Sequence, residues 1–105
     1  MAQFDLHLNP SLQARAGFPF VVVIQGAHLD QLPSRLVIPL QRLAGVPSGL
    51  PRRLVQPVVV DGEALYLAAQ QCAALPARLL RHPVGSLASE RLTIIDALDA
   101  VISGV

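Results

Sequence analysis

The sequence predicts a mainly β protein: a compact antiparallel sheet or small barrel with one helix packed on it. Three observations carry this prediction. Several short runs alternate apolar and polar residues or are rich in β-branched residues, turn-forming residues separate these runs, and the last twenty residues have the period of an amphipathic helix. Many short strands followed by one helix are typical of a sheet with one face covered. A chain of 105 residues is most simply a single domain, residues 1–105.

The first half of the chain contains three predicted strands. Residues 3–8 alternate apolar and polar, as in a half-buried strand with His7 on its polar face. Residues 18–26 are β-branched and aromatic, which predicts a central strand buried on both faces. Residues 35–40 form the third. Because Pro39 cannot donate a backbone hydrogen bond, this strand should end or bulge at Pro39, or lie at a sheet edge.

The second half begins with a change in composition. Residues 41–56 contain four closely spaced Gly and Pro residues and are interpreted as a protruding loop or small wing. Residues 57–60 and 63–68 are strand-like and are joined by Asp61-Gly62, a dipeptide that tolerates the positive φ angles of a tight hairpin. Residues 69–75 fit either one helical turn or a short strand, and residues 76–80 are predicted to form the last strand.

The clearest element is a helix over residues 86–105. Ser86 is the predicted N-cap and Gly104 the residue that stops the helix. The predicted core-facing stripe consists of Leu87, Ile94, Ile95, Leu98, Val101 and Ile102. Asp96 and Asp99 should be turned away from this stripe, near the negative end of the helix dipole, where a carboxylate costs about 0.3–1 kcal/mol. This end of the chain is a candidate for recognition, and the alternative is that the helix only covers one open face of the sheet.

Composition predicts a soluble protein that pairs with a second copy of itself. Hydrophobic residues make up 52% of the chain and charged residues only 14%, more apolar material than a small domain hides alone. A homodimer is therefore expected, with the apolar strands and the inner helix face as candidate interfaces. The longest apolar run, residues 18–24, is too short to span a membrane, and no signal pattern follows Met1, so we expect a cytoplasmic protein without a membrane partner.

Charge does not favour direct nucleic-acid binding. The net charge is only +1, and Arg52 and Arg53 are the one adjacent pair of arginines, interpreted as solvated loop charges. Cys72 cannot form an intrachain disulfide and is expected to be a small buried residue.

Catalytic and metal-binding patterns are not found. The histidines His7, His28 and His82 lack the short spacings of metal ligands, so neither a metal nor another cofactor is predicted. No serine stands in a Gly-x-Ser-x-Gly elbow, and no Gly-rich phosphate loop follows a strand. The sequence therefore favours a binding protein over an enzyme.

Several segments together resemble the CcdB family of plasmid and chromosomal toxins. The similarity runs nearly end to end with its spacings kept, and the Arg-x-Val-Ile-Pro-Leu strand is its most specific part. The matching segments are Gln3-Phe4, residues 22–25 with Asp30, residues 35–40, Leu75-Pro76 and residues 102–105.

This resemblance implies an SH3-like barrel with a small wing and a C-terminal helix, acting as a homodimer. It also implies that the chain binds the A subunit of DNA gyrase, traps the cleaved gyrase–DNA complex, and is silenced by a cognate CcdA-like antitoxin. The family depends on its last three residues, an aromatic residue followed by Gly and Ile. Here Gly104 matches, Val105 is a conservative replacement, and Ser103 stands in place of the aromatic residue.

The departure at Ser103 leads to a hypothesis about two nearby carboxylates. Without an aromatic ring, a stacking or cation–π contribution of about 0.5–2 kcal/mol is lost. Asp96 and Asp99 are hypothesised to replace part of it by facing a cationic gyrase surface beside Ser103, Gly104 and Val105. Two other functions stay open: a degenerate member that binds antitoxin without poisoning gyrase, and an mRNA-cleaving ribonuclease on a related barrel.

Overall fold

The computed structural model describes residues 3–103, except for the side chain of Arg53. Within these residues the chain forms seven short strands followed by one α-helix. The strands are β1 (Asp5–Leu8), β2 (Phe20–Val23), β3 (Ser34–Arg42), β4 (Pro57–Val60), β5 (Glu63–Leu67), β6 (Ala73–Pro76) and β7 (Gly85–Ser86), and the helix is α1 (Arg91–Ser103). The predicted mainly β fold with one C-terminal helix is confirmed.

The strands form one antiparallel sheet in the order β4-β5-β3-β2-β1-β7, and β6 pairs with β3 beside β5. The two edge strands β4 and β7 both line a cavity of about 170 Å³. The sheet therefore curls so that its edges approach each other, which makes it a half-barrel.

Pro39 does not end or displace β3, contrary to the prediction that the strand stops, bulges or lies at an edge there. Its partner in β2 is Val21, and β3 continues to Arg42. On the other side of β3 the neighbouring strand changes near Pro39: the pairing with β6 extends to Val37, and the pairing with β5 starts at Leu40. The Pro39 carbonyl accepts from the backbone N–H of Ala68 on that side, so the missing proline N–H falls in the gap between two partner strands.

The hairpin prediction for Asp61-Gly62 is confirmed. Asp61 and Gly62 have φ angles of 51° and 81°, both in the left-handed region that a two-residue hairpin turn requires. β4 and β5 pair directly on either side of this turn, from Val60–Glu63 back to Pro57–Tyr66. The segment predicted as a protruding loop or small wing, residues 41–56, precedes this hairpin and contains the end of β3 and 3₁₀ turns at Leu43–Gly45 and Arg52–Leu54.

The principal core lies between one face of the sheet and α1. It contains alternate residues of the central strands, Leu87, and the helix residues Ile94 and Ala97. A smaller cluster on the opposite face contains Val21, Val23, Val37 and Leu80. β2 is therefore buried on both faces, as its continuous apolar sequence predicts.

The helix is shorter than predicted and presents a different face to the core. A 3₁₀ turn at Ala88–Glu90 precedes it, and the Ser86 hydroxyl accepts a hydrogen bond from the Ala88 N–H across 3.1 Å. Ser86 therefore contacts the start of the 3₁₀ turn, whose N-cap residue is Leu87, and does not cap α1 itself. The buried helix residues are Ile94, Ala97 and Ala100. Leu87, Ile94 and Leu98 of the predicted stripe contact the principal core, but Ile95, Val101 and Ile102 are exposed. The buried face is therefore centred roughly a quarter of a helical turn from the predicted one, at about 100° per residue.

Two other predictions need correction, and a third, for residues 69–75, is confirmed in both of its alternatives. Residues 77–79 form a 3₁₀ turn and not a strand, while the last strand is β7, which pairs with β1. Residues 69–75 combine both options, a 3₁₀ turn at Ala69–Gln71 followed by β6. Cys72, at the end of that turn, is exposed and not buried.

His7 was wrongly predicted to lie on a polar face. Its side chain is only 2% exposed because the second face of β1 is covered as well.

No helix within residues 3–103 combines the length and apolar character needed to cross a membrane.

Candidate partner-binding surface

Helix α1 leads the chain out of the core and towards its C-terminal residues. Ile94, Ala97 and Ala100 anchor it to the sheet, and the exposed Ser103 ends it. Gly104 and Val105, the other two predicted recognition residues of the terminus, lie outside the described residues. Because the anchored face is occupied by the protein's own core, the inner helix face is not free to form a dimer interface, which corrects that part of the prediction.

The outward side of α1 carries an apolar surface, which we call the outer helix face: Leu92, Ile95, Asp99 and Ile102. The spacings of three, four and three residues place these side chains in one row along the helix. Leu92 is 76% exposed and Ile102 is 83% exposed. Large apolar side chains in a continuous exposed row indicate a surface that a partner covers.

Asp99 lies within this row and is exposed, so the structure places it beside Ile95 and Ile102. Asp96 occupies a different environment. It is half-buried, and its Oδ2 accepts a hydrogen bond from Gln56 Nε2 across 2.8 Å. The prediction that both carboxylates point away from the protein therefore holds for Asp99, while Asp96 contacts the segment that precedes β4.

Sequence reasoning missed the outer helix face because it assigned the largest side chains to the core. The buried positions Ala97 and Ala100 carry small side chains, and the exposed positions Leu92 and Ile102 carry large ones. Leu92 was the available signal, because it shares a row with Ile95 and Ile102 but has no place in the predicted stripe. The assumption that apolar residues face inward is least safe in a protein that covers part of its surface with a partner.

Arg35, from the most family-specific strand, is a buried structural residue. Its Nη1 donates to the carbonyls of Leu32 and Ser34, at 2.6 and 2.9 Å, and its Nη2 donates to the carbonyl of Asp30 at 2.6 Å. One guanidinium thus holds the connection between β2 and β3 against the sheet. In the sequence Arg35 is recognised only as the first residue of the Arg-x-Val-Ile-Pro-Leu strand. The hydrogen bonds of its guanidinium explain why an arginine stands there.

Groups suited to catalysis or metal binding are not brought together in the described part of the chain. No cluster of three or more His, Cys, Asp or Glu side chains is placed to hold a metal ion there. Burial lowers the pKa of His7, partly opposed by the charge of Asp5, but no nucleophile accompanies this imidazole. What the geometry offers is a binding surface.

Comparison with known proteins agrees with this geometry. A search of curated proteins found no match to this chain. The model of the CcdB protein family matches residues 3–104, a range that contains all seven strands, α1, Ser103 and Gly104. CcdB proteins are gyrase-poisoning toxins that act by binding. Since this match spans nearly the whole chain and includes both the half-barrel and its terminal helix, the protein belongs to the CcdB family of toxin–antitoxin toxins.

Proposed function

We propose that this protein binds the A subunit of DNA gyrase as a homodimer of single-domain chains and traps the cleaved gyrase–DNA complex. The observation that carries the proposal is the outer helix face, an exposed apolar row that leads directly to the terminal residues. The apolar area comes from Leu92, Ile95 and Ile102, and the charged Asp99 lies between Ile95 and Ile102 in the same row. Apolar anchors around a well-placed charge are typical of protein interfaces.

The homodimer is supported by the amount of apolar surface that a single copy leaves exposed. Besides the helix residues, Leu12 is 74% exposed and Val59 is 64% exposed. Two copies related by a twofold axis present each helix end twice, so a weak contact at one tail is reinforced by its symmetric copy. A CcdA-like antitoxin that covers the same surface would silence the toxin.

Binding is tested by capturing purified gyrase A subunit with the intact protein and with a variant that lacks residues 103–105. We expect the intact chain to retain gyrase and the shortened chain to lose it, because the terminal residues are proposed to enter the gyrase surface. Retention that does not depend on these residues would contradict the proposed site. A folded dimer of the shortened chain, measured by circular dichroism and light scattering, is the control.

Ser103 favours a second function, a family member that binds its antitoxin without poisoning gyrase. Serine cannot supply the stacking area of the family's aromatic residue. Expression in a gyrase-sensitive host separates the two functions: growth arrest that a gyrase-resistance mutation relieves supports the poison, and harmless expression of soluble protein supports the second function. If lost stacking is the reason, Ser103→Trp should restore or strengthen toxicity.

A further inference from the structure

A basic pocket lies apart from α1, where the end of β1 meets the segment between β6 and β7. Its volume is about 360 Å³. Arg15, Arg78 and Arg81 line it together with His7 and His82, and no carboxylate contributes to its lining. Three of the chain's eight arginines thus surround one pocket in a protein whose net charge is only +1.

The three arginines of the basic pocket take no part in the ion pairs between described side chains, Arg35–Asp30 and Arg42–Glu63, both of which lie outside the pocket. Arginines brought together without carboxylates repel one another, and the potential they create favours an anion. A guanidinium also presents its N–H groups as a planar fork that fits two oxygens of a phosphate or carboxylate.

Arg15 is held in position before any ligand arrives. Its Nε donates to the carbonyl of Asn9 across 2.6 Å. Asn9 is itself fixed, because its Nδ2 donates to the carbonyl of Phe18 and its Oδ1 accepts from the N–H of Ser11, at 2.9 and 3.0 Å. A guanidinium that is already oriented loses less freedom when it binds an oxyanion, which favours affinity.

His7 supplies an independent sign of a ligand. Its side chain is 2% exposed, and its Nε2 is buried without a hydrogen-bond partner among the described residues. Buried polar atoms nearly always have a partner, so an imidazole nitrogen left without one in the wall of a basic pocket calls for explanation. A bound oxyanion would supply an acceptor for an imidazole N–H.

We propose that the basic pocket binds a small phosphate-type anion that carries two or more negative charges. Arg78 and Arg81 engage its oxygens from the open side, Arg15 from a fixed position, and His7 from the wall. A phosphate suits these donors because its oxygens are arranged tetrahedrally and can accept hydrogen bonds from several directions. The two oxygens of a carboxylate lie in a single plane. The basic pocket is separate from the outer helix face, so anion binding there can be tested independently of gyrase binding.

Titration calorimetry of the full chain with inorganic phosphate and with pyrophosphate, at constant ionic strength, tests the proposal. We expect both to bind, pyrophosphate more tightly, and a double variant with Arg78→Gln and Arg81→Gln to bind about tenfold more weakly or worse. The matched control carries Arg52→Gln and Arg91→Gln, two exposed arginines outside the pocket. It has the same net charge and should bind as the unchanged protein does.

Three results would overturn the proposal: no binding of either anion at millimolar concentration, equal loss in both double variants, or binding of a short RNA that pyrophosphate does not displace. The imidazole nitrogen resonances of His7 give a second measurement on the unchanged protein. They should shift when pyrophosphate is added, whereas those of His28 should not. His7→Gln, checked for folding by circular dichroism, should weaken binding severalfold, and an unchanged affinity would remove His7 from the site.

Discussion

His7 shows how the environment of one residue can depart from the pattern of its strand. In β1 the alternation of apolar and polar residues is regular, but the polar position at His7 faces Val21 and the second core cluster. Burial lowers the pKa of His7 because desolvation disfavours the charged imidazole, and the carboxylate of Asp5 partly opposes the shift. The folded protein therefore holds His7 in its neutral form more firmly than the unfolded chain does.

This lowered pKa predicts that acid weakens the fold. Below the ordinary histidine pKa of about 6.5 the unfolded chain binds a proton at His7 that the folded chain resists, so the free energy of unfolding falls as pH drops. Urea denaturation between pH 7.5 and 5 should show a steeper loss for the unchanged protein than for His7→Gln. The control is His82→Gln, because His82 is exposed. Parallel curves for the unchanged protein and His7→Gln would contradict the prediction.

At the scale of elements, the neighbouring residues Ile94 and Ile95 report the orientation of α1. Ile94 is fully buried in the principal core, while Ile95 is 44% exposed on the outer helix face. The two have the same chemistry and the same helix, so they differ only in the side of the helix on which they lie. Sequence alone treated both as core residues.

Alanine substitution at each position separates the two orientations. Ile94→Ala should lower the free energy of unfolding by about 2–5 kcal/mol, because it leaves a cavity in a packed core. Ile95→Ala should lower it by less than about 1 kcal/mol, since much of that side chain is already in water. Denaturant unfolding measures both. Equal losses would mean that α1 packs on its predicted stripe after all.

The elements that sequence predicts well are those whose local signals agree with their packing. β2 is apolar at every position and is buried on both faces, and Asp61-Gly62 adopts the positive φ angles that the dipeptide favours. β3 was recognised, but Pro39 was predicted to end it, to bulge it or to place it at an edge, because only the sheet topology reveals the gap in which its missing donor lies. β7 was missed because it is two residues long and exists only through its pairing with β1.

The position of the C-terminal helix was predictable from the sequence, but the arrangement of the side chains around it was not. The C-terminal helix could be found from its period, and Asp99 is exposed there as expected. The contact of Gln56 with Asp96 could not be found, because forty residues separate them in sequence and no local pattern records their proximity. The basic pocket was missed for the same reason: Arg15, Arg78 and Arg81 come from distant segments that the fold brings together.

At the scale of the whole molecule, the proposed complex gives the two helix carboxylates different roles. Asp99 is exposed among apolar residues and suits a contact with a cationic gyrase surface. Asp96 accepts the hydrogen bond from Gln56 and suits the task of fixing the preceding segment against the helix. Substitution should therefore affect binding at one position and stability at the other.

Asp99→Asn should weaken the affinity for gyrase by about two- to fivefold and reduce its dependence on salt, because one exposed ionic contact is lost. Asp96→Asn should mainly lower the melting temperature. Asp61→Asn is the matched control, since it removes the same charge in the β4–β5 turn and asparagine also tolerates a positive φ. Surface plasmon resonance across a salt series measures these effects. An unchanged salt dependence when both helix carboxylates are replaced would exclude them from the interface.

The small buried side chains of α1 have a consequence for the orientation of the outer helix face. Ala97 and Ala100 are buried on the side of α1 that packs against the rest of the protein. A bulkier residue at either site would act as a wedge. It would tilt the helix relative to the sheet and so reorient the outer helix face without changing any residue of that face.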